Sequence, residues 1–423
     1  MNRPASSIAS HHDQLILGLA FFLLFPGFFF YHTLLGTGTT GAFLGGYFAP
    51  VSVLVVVPLV FIYLVNVRRA PPRATLVDLH FGIFLLYFAV IVMVHGAAGA
   101  NRTIVTNHIL GILFLVNIFV MFRFLDFTAT WFRAAGIASL ASMTAIAVTF
   151  SVDGVFYLGA LGVARDAESL ATYQGFSRSY LVTYLAVVAF SRSMPLRLLL
   201  HVTGAATLFL NTARSEFVAL LFAIPIIEFY YSRHKLYFIL AVMIAIFLIN
   251  LYFDQILAAL PDNRILELLD LSHSTSANKR QHLTVHAVQT VLAHPLFGDY
   301  ASYQPGYYAH NILSAWVDLG LFGVTYLVAL MVLPAGLMFI HEFFAARRCG
   351  IFLLGFSMAC VTILLLLTSH YFTDMLIGAT LGACSKYVFE RKYAKNRPPD
   401  LSPSTPRHPD LRQAMPYVGR ARP

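Results

Sequence analysis

Charged residues make up only 11% of the 423-residue chain, against roughly 25% in a soluble domain. That scarcity excludes an ordinary water-soluble globule. Cysteine is nearly missing as well. Cys349, Cys360 and Cys384 are the only three, all within or beside the last apolar runs. With no Cys-x-x-Cys pair, the chain offers no disulfide framework, and thiol redox or zinc–thiolate chemistry has no footing. Neither a Gly-x-Gly-x-x-Gly stretch nor a Walker loop occurs, and no long-period repeat is visible. The loops on one side are too short to hold a soluble nucleotide-binding domain.

What the chain has in abundance is apolar length. Hydrophobic residues account for 58% and the mean hydropathy is +0.74. Runs of about 20 apolar residues, each long enough to cross roughly 30 Å of hydrocarbon, recur almost throughout. They lie at 14–32, 41–65, 76–95, 103–122, 134–152, 171–191, 197–212, 215–231, 236–254, 310–337, 351–371 and 374–388. The expected fold is therefore all-α: one polytopic membrane domain, 1–388, with about twelve transmembrane helices. Placing both termini in the cytoplasm puts 21 of the 28 Lys and Arg on inner segments, nine of them from Lys386 onward. Only Arg102, Arg165, Arg178, Arg214, Arg264, Lys279 and Arg280 are then outside, as the positive-inside rule requires. The net charge of +9 is thus a topology signal, and no nucleic-acid partner is expected. The Pro- and Arg-rich tail, 389–423, is expected to be disordered and to touch anionic membrane lipids.

Three stretches depart from plain membrane helix. The loop at 255–309 is far longer than a hairpin needs and falls on the outer, periplasmic side. Within it "RILELLDL" (264–271) suits the membrane surface. Val285, Val288, Val291 and Leu292 repeat at helical spacing, and "HPLFG" stops that helix. "NTARSEF" (211–217) is the second; Thr212 or Ser215 could cap a helix there, but Arg214 is not needed for capping. The third is "HNILSAWVDLGLFG" (310–323). At about 100° per residue from His310, Ser314 falls near 40°, Asp318 near 80° and Asn311 near 100°. A polar face that costs free energy in lipid must meet protein, water or substrate.

Together, "TARSEFVALLFAIPI", "KRQHLTVHAVQTVLAHPLFG" and "HNILSAWVDLGLFGVTYLV" resemble the O-antigen ligase and O-antigen polymerase family of bacterial inner-membrane proteins. The resemblance spans roughly 210–335. Tyr300, Ser215–Glu216 and Asp318 stand where that family often has Gly, Gly or Ala, and Glu. It implies a fold like the metal-independent polytopic (GT-C-like) glycosyltransferases. It also implies a surface-polysaccharide (lipopolysaccharide or exopolysaccharide) enzyme. The donor would be a glycan on undecaprenyl pyrophosphate, and the acceptor a hydroxyl of lipid A core or of another carrier-linked glycan. Carried over by motif, Arg214 and Arg280 contact the pyrophosphate and His310 sits at the acceptor hydroxyl.

The chemistry points the same way. A departing diphosphate needs cations that stay charged in a dry site, which suits Arg214 and Arg280 with Lys279 as a third. A neutral His310 can take the hydroxyl proton. Asn311 and Asp318 are supporting residues, Asp318 either orienting the polar face or partnering another helix. No cofactor and no metal are expected, since the outer loop at 33–40 has no acidic ligand. His282 and His286, although spaced i,i+4, lack a third ligand nearby. Tyr300, Tyr303, Tyr307 and Tyr308 suit either sugar stacking or the interfacial aromatic belt. Asp78, Glu228 and Asp374 are placed near headgroups. The competing function is a transporter or flippase of lipid-linked sugars, which would show paired, broken helices with midplane charges.

Overall fold

The computed structural model describes residues 9–41, 46–68, 74–156, 173–261, 265–266, 275–345 and 348–395. Arg165, Arg264, nearly all of "RILELLDL" and the tail beyond 395 lie outside the described residues, as does the side chain of Lys279. Among the described residues regular structure is helical, apart from one isolated bridge between Val152 and Val155.

The chain opens with α1 (His11–Phe22), a π-helical turn (Leu23–Gly27) and α2 (Phe28–Gly36). Pro26 lacks the N–H that would continue an α-helix, and the wider turn absorbs the lost bond. The Ser10 hydroxyl and the Asp13 carboxylate close a reciprocal cap on α1. Next come α3 (Phe48–Arg68), α4 (Leu76–Ala97), α5 (Arg102–Phe124), α6 (Thr130–Thr149) and α7 (Tyr173–Val188). These are followed by α8 (Met194–Leu210), α9 (Arg214–Tyr231), α10 (Lys235–Leu251) and the short α11 (Phe253–Ala259). The long outer segment carries α12 (Thr275–Ala293), and α13 (Leu313–Glu342), α14 (Gly350–Thr368) and α15 (Met375–Lys395) complete the bundle.

Seven of these rods are long and apolar enough to cross a membrane: α1–α2 together, α3, α4, α5, α6, α13 and α14. The chain is thus a multi-pass membrane protein by the length and composition of its helices. Each of the twelve runs expected from sequence overlaps a helix, yet several do not meet that measure. The reasons are physical. α8 and α10 are apolar but have 17 residues each. α7 has 16 residues, α9 carries Arg214, Glu216 and Glu228, and α15 carries Lys386, Glu390 and Arg391.

The centre of the bundle is the contact of α15 with α5. A Cβ on Gly378 would lie 2.6 Å from the Leu115 carbonyl oxygen, and one on Gly382 would lie 2.5 Å from that of Phe119. Two glycines four apart on one helix face therefore bring two backbones together where no side chain fits. The same end of the bundle corrects the headgroup placement of two acids. Asp78 caps α4 through Thr75 and receives Arg123 Nε at 3.3 Å and the Ser385 hydroxyl at 2.9 Å, all of it buried. Glu228 faces Arg197 bidentately, at 2.6 and 2.9 Å, and His201 at 3.0 Å. Each of these acids thus has a guanidinium packed against it, which offsets the cost of removing the carboxylate from water. Outward-facing residues such as Leu54, Val57, Leu86 and Met93 are exposed and apolar, a surface matched to acyl chains.

Candidate functional site

The helical reading of "HNILSAWVDLGLFG" needs correction at both ends. The helix begins at Leu313, so His310 and Asn311 precede it and do not share its polar face. The Asn311 carboxamide instead caps α13, accepting the Leu313 N–H at 3.0 Å, and reaches Thr284 of α12 at 3.3 Å. Further along, α13 is broken at Gly320, where φ is +67° and ψ is −174°. In a continuous helix the Leu321 N–H would bond the Val317 carbonyl four residues back. Here Leu321 donates to Leu296 at 3.0 Å, while the Val317 carbonyl accepts from Asp299 at 2.7 Å. Both replacement partners belong to the "HPLFG" turn or the residue after it. Trp316 adds a third bond, Nε1 to the Pro295 carbonyl at 2.8 Å. The two glycines make this possible. A Cβ on Gly298 would lie 2.3 Å from the Val317 oxygen, and one on Gly320 would lie 2.4 Å from the Leu296 oxygen. The two motifs singled out in the sequence are thus halves of one main-chain clasp.

The clasp sets Asp318, on the last turn before the break, inside the protein. It accepts the Ala301 N–H at 3.0 Å, the Tyr303 hydroxyl at 2.9 Å and the Tyr371 hydroxyl. Asp318 and Ser314 are both buried, and Ser314 Oγ receives the Phe372 N–H at 3.3 Å. The polar face of α13 therefore meets protein: the outer segment and the turn between α14 and α15. Behind Asp318, His108 of α5 bridges Tyr371 at 2.6 Å and Tyr300 at 2.8 Å. Because Tyr371 spends its proton on Asp318, His108 must donate from Nε2 and accept the Tyr300 proton at Nδ1.

A second cluster lies across the same end. In the turn after α14, His370 stands 3.2 Å from Glu216 of α9 and 2.9 Å from Asp374. Arg178 of α7 closes the group, 3.1 Å from Asp374 and 3.9 Å from Glu216, with its side chain 20% exposed. Burial alone would lower the His370 pKa, but the Asp374 and Glu216 carboxylates outweigh it and hold the imidazole above its usual value. For Asp374, burial is likewise outweighed, by Arg178 and then His370, and its carboxyl is held well below the usual range. The expectation that Asp374 faces headgroups is corrected: it is buried among partners.

Between the clusters stands Tyr308. Its ring centroid is 4.8 Å from that of His310 and 4.4 Å from that of Tyr371. Burial, then the positive charges of Arg280 and His370, lower the His310 pKa to about 4, so the imidazole is neutral near pH 7. Arg280, half-buried in α12, acts electrostatically on both His310 and Tyr308. Arg214 is the first residue of α9, half-buried and two positions before Glu216. Lys279 falls in α12 with its side chain outside the described residues. His282 and His286 are exposed on α12. Among the described residues no group of three or more His, Cys, Asp or Glu side chains is placed to hold a metal ion.

Two cavities adjoin these groups. One, of about 240 Å³, is lined by Asn107, His108, Tyr303, Tyr308 and Tyr371. The other, of about 440 Å³, is mostly apolar, walled by Phe25, Phe28, Tyr47 and Phe48, with Arg178 and His32 among its few polar residues. Phe114 lines both. No protein-family model matches the chain, and no curated protein does.

Sequence reasoning missed Arg178, His370, Tyr371 and His108. The signal was present in "SHYFTD" (369–374), a polar break between two apolar runs like that at His310. Extending the run to residue 371 hid it.

Proposed function

We propose that the chain is a membrane glycosyltransferase of surface polysaccharide assembly, of the O-antigen ligase or polymerase type. It would move a glycan from undecaprenyl pyrophosphate to a hydroxyl on lipid A core or on another carrier-linked glycan. The observation that carries this reading is the meeting, at one end of the bundle, of an apolar cavity with Arg178 on its wall and a tyrosine-lined cavity whose Tyr308 packs on His310. A lipid pyrophosphate needs both surroundings at once, acyl-compatible walls for its chain and fixed cations for its head. In the reaction the acceptor oxygen attacks the anomeric carbon and the bond to pyrophosphate oxygen breaks. The hydroxyl proton passes to His310, and the diphosphate leaves as an anion among Arg178, Arg280 and Arg214. A single displacement of this kind inverts the anomeric centre.

His310 with a pKa near 4 is neutral but a weak base. A bound diphosphate anion raises that value, so proton acceptance strengthens when the donor is seated. The full topology this requires is about twelve spans, with both termini cytoplasmic in the bacterial inner membrane and the site on the periplasmic face. The test is complementation of a deletion strain with wild type or His310→Ala at matched membrane abundance. Loss of polymer or of lipid A attachment, with carrier-linked glycan accumulating, is expected. Full complementation by His310→Ala would refute the assignment. Activity is expected to be indifferent to chelators; loss in chelator, restored by Mg²⁺ or Mn²⁺, would overturn the metal-free mechanism.

A further inference from the structure

At the end of the bundle opposite His310 lies a second large cavity, of about 450 Å³. Its walls come from the α5–α6, α7–α8 and α13–α14 turns, the end of α9 and one face of α15. Four cations line it, Arg133, Arg192, Arg348 and Lys386, against two carboxylates, Asp126 and Glu390. Some of that charge is already engaged. Lys386 donates to the Leu125 carbonyl, and Arg348 to the carbonyls of Ala345 and Ser232. Asp126 accepts both the N–H and the hydroxyl of Thr128. Arg133 is different: its Nε is buried with no hydrogen-bond partner among the described residues. Arg192 is exposed and lines the cavity. Cations that serve only as a topology signal remain on the surface in contact with water and headgroups. Arg133 is half-buried as a whole and lines the cavity, so an anion seated there would stand beside a guanidinium that no carboxylate engages among the described residues.

The backbone adds to the same field. Three helices, α6, α8 and α14, begin at this cavity, and Thr128, Ser193, Gly350 and Ile351 line it. The N-cap residues Ala129, Ser193 and Cys349 make no side-chain cap bonds. The positive ends of three helix dipoles therefore lie at a cavity where the side chains already leave a net charge of two positive.

We infer that this cavity is a binding site for a phosphate-bearing anion, separate from the His310 site, seated on Arg133 and Arg192 and the three helix starts. Its volume admits a lipid headgroup phosphate with its glycerol, or a free di- or oligophosphate. Both present the same chemistry to the protein. The inference stands independently of the proposed transferase activity.

The test uses the full chain purified in detergent, with Arg133→Gln/Arg192→Gln compared to wild type. An Arg233→Gln variant serves as control, because Arg233 is exposed at the same end and does not line the cavity. Retained phosphatidylglycerol against phosphatidylcholine is counted by native mass spectrometry, and thermal stabilisation is titrated with inorganic pyrophosphate. Wild type and Arg233→Gln are expected to bind one of the two probes, with the double variant weaker by about tenfold or more. Retention of the anionic lipid alone identifies a headgroup source; stabilisation by pyrophosphate identifies a soluble one. If wild type binds neither probe, or the double variant binds equally well, the inference is overturned. If the double variant melts far below wild type, the single Arg192→Gln, at a solvent-exposed position, gives the same comparison.

Discussion

Replacing Gly320 by alanine should damage the protein far more than one methyl group suggests. At φ +67° and ψ −174° an L-residue is in a region that essentially only glycine occupies, a strain of about 1–3 kcal/mol. The new Cβ would also stand 2.4 Å from the Leu296 oxygen and 2.8 Å from the Phe297 carbonyl carbon. The contact atoms are backbone, so relief requires the clasp to open. Opening it breaks the Leu321–Leu296 and Asp299–Val317 bonds, at about 0.5–1.5 kcal/mol each. The sum is about 2–6 kcal/mol. Gly336, on the same helix, provides the internal control: a Cβ there meets nothing within 4 Å. Gly336→Ala should instead stabilise by about 0.5–1 kcal/mol through helix propensity. The assay is thermal unfolding in detergent, followed by tryptophan fluorescence in a Trp131→Phe background. Of the two tryptophans, that leaves Trp316, whose ring nitrogen bonds Pro295 within the clasp. Gly320→Ala should shift the native Trp316 signal and lower the melting temperature, while Gly336→Ala does neither. Equal melting temperatures for the two variants would refute the clasp as an energetic unit.

Three further outcomes follow from the site. The His310 pKa is lowered to about 4 by burial and then by Arg280 and His370, against about 6.5 in the unfolded chain. Between those values the unfolded state binds more protons, so stability falls as pH drops from about 6.5 towards about 4. By the same shift, the acidic limb of kcat/KM should lie near pH 4 and not near 6.5, and a limb at 6.5 would contradict the burial. Asp318→Asn puts an amide against two tyrosine donors and the Ala301 N–H, and should cost about 2–4 kcal/mol in unfolding free energy. A cost no greater than that of Tyr371→Phe would show that the carboxylate is dispensable. Arg178→Gln leaves Asp374 and Glu216 without their guanidinium, so about 3 kcal/mol is expected, softened by its 20% exposure. Adding Asp374→Asn should recover part of that loss; additive costs would show the pair to be uncoupled.

How much of this was readable in advance differs from residue to residue. Apolar run length is a one-dimensional property, and it located the helices well. It also singles out His310 and Arg280, because charged or titratable residues in an apolar chain stand out, and the fold brings the two within electrostatic reach. What run length cannot carry is a change of direction within a run. Gly320 lies within the single 310–337 run, and only its backbone angles show that the helix is broken there. The same limit hid His370 and Tyr371, absorbed into the end of the 351–371 run although α14 stops at Thr368. Arg178 was counted as an outer arginine, but its pairing with Asp374 joins positions nearly two hundred residues apart. Such partners are set by packing, which leaves no spacing to read. Asp78 and Glu228 failed for the same reason: a lone acid at a helix end looks solvated until Arg123 or Arg197 is seen against it.

The clasp between Pro295–Asp299 and Trp316–Leu321 is made mostly of carbonyl and amide groups, and this bears on how the chain can diverge. An anchor of main-chain atoms is blind to the identity of the residues it holds, glycines excepted. Of the positions that follow it, the exposed Ser302, Gln304, Pro305 and Tyr307 can exchange side chains without loosening the attachment, whereas Tyr303 is tied to Asp318. The side chains this face presents at those positions can therefore be rewritten one by one while the clasp stays fixed.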